Sequence, residues 1–205
     1  MPKVSKIEKL YDGAHAIVAA PGPSLTPEVV ETIREVKDKY AIIGVGDAYR
    51  RIDFLDEHYA CDARWWKVHG KDVNDKFPGL RSWCHDEEGM QYGAYKIEGR
   101  HKNGFSLNPE FIHFGSNSGY QTLNLCWLWG IRKIILVGFN MQKVGGHTHF
   151  FKDRHPTLSI SSPYPSFVKK YLTIQSDIRN TIINCTPNSA LTAFHKAGLK
   201  ETLNV

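Results

Sequence analysis

Hydrophobic and polar positions alternate between short apolar runs and amphipathic stretches. His15–Ala20 (HAIVAA) has the length of a buried strand and stops abruptly at Pro21-Gly22-Pro23-Ser24. The next segment, 27–39, carries Val29, Val30, Ile33 and Val36 on one helical stripe, with Thr26 as N-cap and Pro27 at the first helical position. Tyr40–Val45 reads as a second buried strand. His58–Cys61 reads as a third, followed by Asp62 and a helix-like segment around Trp65-Trp66, a pair expected to split into one core and one surface residue. The stretch 69–114 reads as an irregular insertion with two possible strands, 81–85 and 94–98. Ser118–Trp129 is predicted helical with Gly130 closing it, and 131–139 (IRKIILVGF) is the clearest strand. A loop or lid rich in Gly and His follows over 140–165, then an amphipathic helix over 166–179 and a last strand over 181–185. This alternation predicts an α/β fold: one Rossmann-like domain over 1–205, three layers deep, with a mostly parallel sheet and helices on both faces.

Such a fold places its ligand beyond the carboxyl ends of the strands. Five small or polar groups stand there: Pro21–Ser24, Gly46-Asp47, Asp62, Asn140 and Thr186–Ser189. In the first of them Gly22 lets the backbone approach a ligand, and free N–H groups of the following turn are expected to face a phosphate. Asp47 and Asp62 suit ribose hydroxyls or a Mg²⁺-phosphate; the plainer alternative is that each caps the helix after it.

The segment GGHTHFFKDRHP places His147, His149 and His155 with Asp153 on a Gly-flexible loop. A neutral imidazole can take a proton from a substrate hydroxyl near pH 7. His147 and His149, two apart on an extended segment, are expected to point the same way, a spacing that also suits a divalent ion. Arg154 beside them suits a phosphate, which a guanidinium binds in a bidentate way.

Composition narrows the classes. The chain has 205 residues, 41% hydrophobic and 23% charged, an ordinary globular balance. No apolar run approaches the ~20 residues of a membrane span, and the first residues show no apolar signal segment. Four scattered cysteines form no CxxC pair and read as reduced thiols, so a cytoplasmic location is expected. The net charge of +5 favours anionic ligands, nucleotides first and nucleic acid as a possibility.

Three segments in register resemble the bacterial sialyltransferase family of the Campylobacter type and its Rossmann-like relatives among motility accessory and archaeal pterin pyrophosphokinase-like proteins. They are Ala20–Leu25 (APGPSL), Asn117–Tyr120 (NSGY) leading to a strand that ends Gly138-Phe139-Asn140, and Cys185–Leu191 (CTPNSAL). The resemblance implies a cleft for a cytidine nucleotide-sugar or similar nucleotide. Gly22, Pro23 and Ser24 would lie by the phosphates, Asn117, Ser118 and Gly119 near the donor, and Pro187, Asn188 and Ser189 at base and ribose. This chain has Pro21, Gly46, Gly115 and Asn140 where the family has asparagine, asparagine, arginine and aspartate.

The expected function is nucleotide-dependent group transfer, of the sialyltransferase-like glycosyltransferase kind. His147, His149 or His155 would act as general base on a glycan or small-molecule acceptor, with no obligatory cofactor. The alternatives are a Mg²⁺-dependent diphosphokinase with Asp47 or Asp62 on the metal, and a non-catalytic nucleotide or nucleic-acid binder. A homo-oligomer is the expected assembly.

Overall fold

Strand His15–Ala19 (β2) forms because four consecutive apolar residues are buried on both sides, between neighbours that supply every ladder hydrogen bond. It pairs in parallel with Ala41–Val45 (β3) on one edge and Lys133–Val137 (β8) on the other. The structure, a computed structural model, describes residues 3–158 and 162–205. Its other strands are Lys3–Val4 (β1), Glu57–Tyr59 (β4), Arg81–Cys84 (β5), Tyr95–Arg100 (β6), Phe111–His113 (β7), Ile182–Asn184 (β9) and His195–Lys196 (β10). All pair in parallel, in the order β1-β6-β5-β4-β3-β2-β8-β9-β10, with β7 beside β6.

Side-chain alternation along β2 divides the core. Ala16 and Val18 face the layer of helix Ser118–Leu128 (α4), with Leu123 and Cys126, and of Tyr164–Tyr171 (α5) and Ser176–Arg179 (α6), with Tyr171 and Ile178. Ile17 and Ala19 face Pro27–Arg34 (α1) and Ala63–Lys76 (α2), with Ile33 and Trp66. Short helices Glu87–Gln91 (α3) and Leu199–Leu203 (α7) complete the set. This is the predicted three-layer, Rossmann-like arrangement. No helix is long and apolar enough to cross a membrane among the described residues.

Helix α1 starts as its sequence predicts: Thr26 Oγ1 accepts from the Val29 N–H, and Pro27 sits where no intrahelical donor is needed. Several other expectations need correction. The stretch 69–114 is not an irregular insertion: α2 runs on to Lys76, and β5, α3, β6 and β7 widen the parallel sheet. The helix expected over 166–179 is two helices, because Thr173 and Gln175 turn aside to bind Gly104 and Phe105. Trp65 and Trp66 are both buried, since the 3₁₀ turn Gly46–Arg50 covers Trp65. The lid expected over 140–165 includes 159–161, which lie outside the described residues.

Candidate functional site

The chain runs from β2 out through β3, β4, β5 and β6, then returns to place β8 on the other side of β2. That reversal opens a crevice between the ends of β2 and β8, where open α/β sheets hold ligands. A cleft of about 290 Å³ lies there. Its walls include Pro21-Gly22, Gly46-Asp47, Asp62, Asn117–Gly119, Asn140, His149 and Arg154, so four of the five strand ends singled out in the sequence meet in it.

The fifth does not line the cleft. Pro187, Asn188 and Ser189 brace the exit of β8 from behind: Asn140 Nδ2 donates to the Pro187 carbonyl at 3.2 Å, Gln142 donates to that of Asn188, and Ser189 Oγ donates to that of Phe139 at 2.6 Å. Asn140 is 2% exposed and reaches both ways, since its Oδ1 also accepts from the Ser24 N–H (3.1 Å) and Oγ (2.7 Å). Ser24 therefore positions Asn140, and neither Pro23 nor Ser24 is part of the lining.

The turn after β2 has its donors engaged. Gly22 N–H donates to Gly138 O at 3.0 Å, Ser24 N–H to Asn140 and Leu25 N–H to Gly22 O, while Pro21 and Pro23 have no N–H. The free N–H groups expected there are absent from this turn. A Cβ on Gly22 would collide with the Gly138 carbonyl and the Asn140 side chain, so its close backbone approach is made to β8.

Free donors are found instead at the start of α4. Asn117 is its N-cap: Oδ1 accepts from Tyr120 N–H at 2.9 Å and from Tyr171 OH at 2.8 Å. The N–H groups of Ser118 and Gly119 have no acceptor among the described residues, and the positive φ of Gly115 and Ser116 (49° and 67°) turns the chain sharply into this helix. Ser118 Oγ accepts from the Cys61 N–H at 3.1 Å, tying the helix start to the end of β4. Burial pushes the Cys61 thiol up to about 11, so no thiolate is offered at neutral pH.

Only His149 of the three loop histidines lines the cleft. His147 is exposed in a tight hairpin with Val144, closed by Gly145 and Gly146, both at positive φ. The chain bends over 148–150, so the expectation that His147 and His149 point the same way fails. His155 is exposed and its Nδ1 lies 2.8 Å from Thr157 Oγ1. Burial first, then the nearby Arg154 charge, hold His149 down to about 4, so it is a neutral imidazole at pH 7. Arg154 makes no ion pair among the described residues.

The two aspartates differ. Asp62 caps α2 through the Arg64 N–H (2.9 Å) and pairs with the Arg64 guanidinium (2.7 Å), which lowers its pKa. Asp47 is buried against Trp65, whose indole N–H donates to Oδ2 at 3.1 Å. No group of three His, Cys, Asp or Glu side chains is placed to hold a metal among the described residues. Sequence reading missed the cleft residues Tyr164 and Phe167, spaced three apart at the start of α5; that helical spacing beside the lid was the available signal.

No protein-family model and no curated protein matches the chain. Among solved structures, the MAf glycosyltransferase from Magnetospirillum magneticum AMB-1 matches with a TM-score of 0.63 over 96% of this chain, at 14% identity. The chain spans 35% of the length of that protein. A likeness at this identity is one of fold, and it independently supports the Rossmann-like architecture read from the strand order.

Proposed function

We propose that this protein is a glycosyltransferase that draws on a nucleotide-linked sugar, with a CMP-type donor favoured. One observation carries the reading: in the crevice at the topological switch point, the two N–H groups opening α4 share a cleft with the guanidinium of Arg154, and none of these groups has an acceptor or ion-pair partner among the described residues. A phosphate is the ligand that both features recognise. The same groups would stabilise the charge that grows on the phosphate as the sugar leaves. Asp62 and Asp47, at the ends of β4 and β3, line the same cleft and would take ribose or sugar hydroxyls. His149 enters as a neutral hydrogen-bonding imidazole; of the three loop histidines it alone lines the cleft, where it would meet the substrate. The fold match to a protein named a glycosyltransferase agrees with this reading.

The test is a thermal-shift panel of CMP, CMP-N-acetylneuraminate, UDP-N-acetylglucosamine, GDP-mannose and ATP. A ligand at about 100 times its Kd adds roughly 2.7 kcal/mol by mass action. For a chain of this size that raises Tm by roughly 5–10 °C. The expected result is a rise with the CMP compounds that Arg154→Ala abolishes. No shift with any nucleotide refutes the proposal, and turnover abolished by EDTA replaces it with metal-dependent diphosphoryl transfer.

A further inference from the structure

The loop after β8 enters the cleft twice and leaves it in between. Thr148 and His149 line the cleft, and so does Arg154, whereas 150–153 do not. The residues that turn away rest on Arg50, the last of the 3₁₀ turn after β3, and on Arg51 next to it. The Arg51 guanidinium carbon lies 4.0 Å from the centre of the Phe150 ring, and that of Arg50 lies 4.2 Å from the centre of the Phe151 ring. At these distances a ring face attracts the cation above it.

Polar bonds set the register of this contact. Phe150 N–H donates to Pro21 O at 3.1 Å, and Arg51 donates to the Leu25 carbonyl, so the turn after β2 is tied to the same point. Arg50 Nη2 donates to Asp153 Oδ2 at 2.6 Å, and its Nη1 lies 3.9 Å from Asp47 Oδ1. The Asp153 side chain is 72% exposed, so this ion pair alone would hold little, and the ring contacts carry more of the grip. Phe150 also packs against the core layer of Ile33 and Trp66, and the His149 ring stands 5.2 Å from that of Phe151, centre to centre.

We propose that Arg50 and Arg51 are positioning residues of the cleft: by gripping Phe150, Phe151 and Asp153 they hold His149 and Arg154 in place before a ligand arrives. The inference rests on the glycosyltransferase reading, under which Arg154 meets the donor phosphate. Neither arginine and neither phenylalanine lines the cleft, so each acts through its chain neighbours. A free loop would lose conformational freedom when it closed on a ligand. A loop clasped at its middle has lost that freedom on folding, and the two cleft side chains flanking the clasp are already in register.

Two measurements test this. In the ligand-free protein, hydrogen exchange read by NMR at the Phe150 N–H should be at least about fivefold faster in the double variant Phe150→Leu/Phe151→Leu, with exchange in β2 and α1 unchanged. Exchange as slow as in the wild type overturns the clasp, whatever the protein binds. The Leu pair leaves every charge in place, so any loss of anion affinity is not a loss of electrostatic attraction. Calorimetric titration should show the Kd for CMP raised about fivefold in the Leu pair and in Arg50→Gln/Arg51→Gln, and restored in Phe150→Tyr/Phe151→Tyr, which keeps both ring faces. In a His149→Ala/Arg154→Ala background the Leu pair should change that Kd by less than about twofold, because the residues it positions are gone. Wild-type affinity in the Leu pair, or an undiminished loss in that background, overturns the positioning role. Absence of nucleotide binding by the wild type refutes the glycosyltransferase reading itself, and the exchange result still decides on the clasp.

Discussion

Gly22→Ala tests whether the turn after β2 is built for contact with β8. The position does not lie in the left-handed region, so alanine incurs no backbone strain, and the only obstacle is space. Its Cβ would overlap the Gly138 carbonyl oxygen and Asn140 Oδ1 and stand 3.0 Å from the Gly138 carbonyl carbon. Neither neighbour yields easily, since one is backbone at the end of β8 and the other is a carboxamide bonded to both Ser24 and Pro187. Overpacking of this kind costs roughly 1–3 kcal/mol. Separating the turns also weakens the Gly22–Gly138 bond at 3.0 Å and the two Ser24–Asn140 bonds at 3.1 and 2.7 Å. At roughly 0.5–1.5 kcal/mol per bond, partial loss of these three brings the total to about 2–5 kcal/mol. At about 2–4 °C per kcal/mol for a chain of this length, Tm should fall by roughly 4–20 °C. Urea unfolding and calorimetry measure it. The control is Gly145→Ala, which meets nothing within 4 Å but has φ of +56° and so carries backbone strain alone. A Gly22→Ala protein within about 2 °C of wild type, or one no worse than Gly145→Ala, refutes the reasoning.

Three further outcomes follow from the same geometry. Arg154→Ala should leave the Tm of the ligand-free protein within about 1 °C, because the guanidinium makes no ion pair among the described residues, while weakening CMP binding about tenfold or more by calorimetric titration. Asn140→Asp places a carboxylate oxygen against the Pro187 carbonyl, 3.2 Å away, and should cost about 1–3 kcal/mol at pH 7, with part of the loss recovered as the acid is protonated at low pH; urea titrations at pH 7 and 4.5 compare the two. His58 is fully buried and burial holds it at about 4, so the unfolded chain binds a proton that the folded one refuses between about 6.5 and 4. Stability is therefore full above about 6.5 and falls as pH drops through that window, by on the order of 3 kcal/mol, and His58→Gln should flatten the slope in the same urea series.

What was legible in the sequence was whatever local pattern controls. β2, β3 and β8 are runs of aliphatic residues too short for helices, and α1 announces itself through Thr26 and Pro27. The misread stretch 69–114 fails for identifiable reasons. Helix α2 contains Gly70, an apparent breaker, yet a Cβ there would overlap the Tyr92 ring packed on it. β6 is only partly buried, so it lacks the apolar run that marked β2. The break between α5 and α6 depends on Gly104 and Phe105, about seventy residues away in sequence, and no periodicity within 166–179 encodes it.

The candidate site divides in the same way. Sequence position at strand ends was enough to bring Asp47, Asp62 and Asn140 together, because parallel topology alone does that, whereas Ser118 was singled out by the resemblance alone. It was not enough to say which backbone donors are free, since that depends on where Gly138 and Asn140 arrive, more than a hundred residues after Gly22. The consequence is a division of roles between two turns that look alike in sequence. The Pro21–Ser24 turn uses its donors to join β2 to β8 and so fixes the width of the crevice. The Ser116–Gly119 turn has its N-cap bond satisfied by Asn117 and leaves the Ser118 and Gly119 N–H groups without an acceptor among the described residues. A rigid seam on one side and an unsatisfied helix end on the other is the arrangement that electrostatic preorganisation requires: under the proposed function, donors held in place before the phosphate arrives would need no reorganisation when charge develops on it.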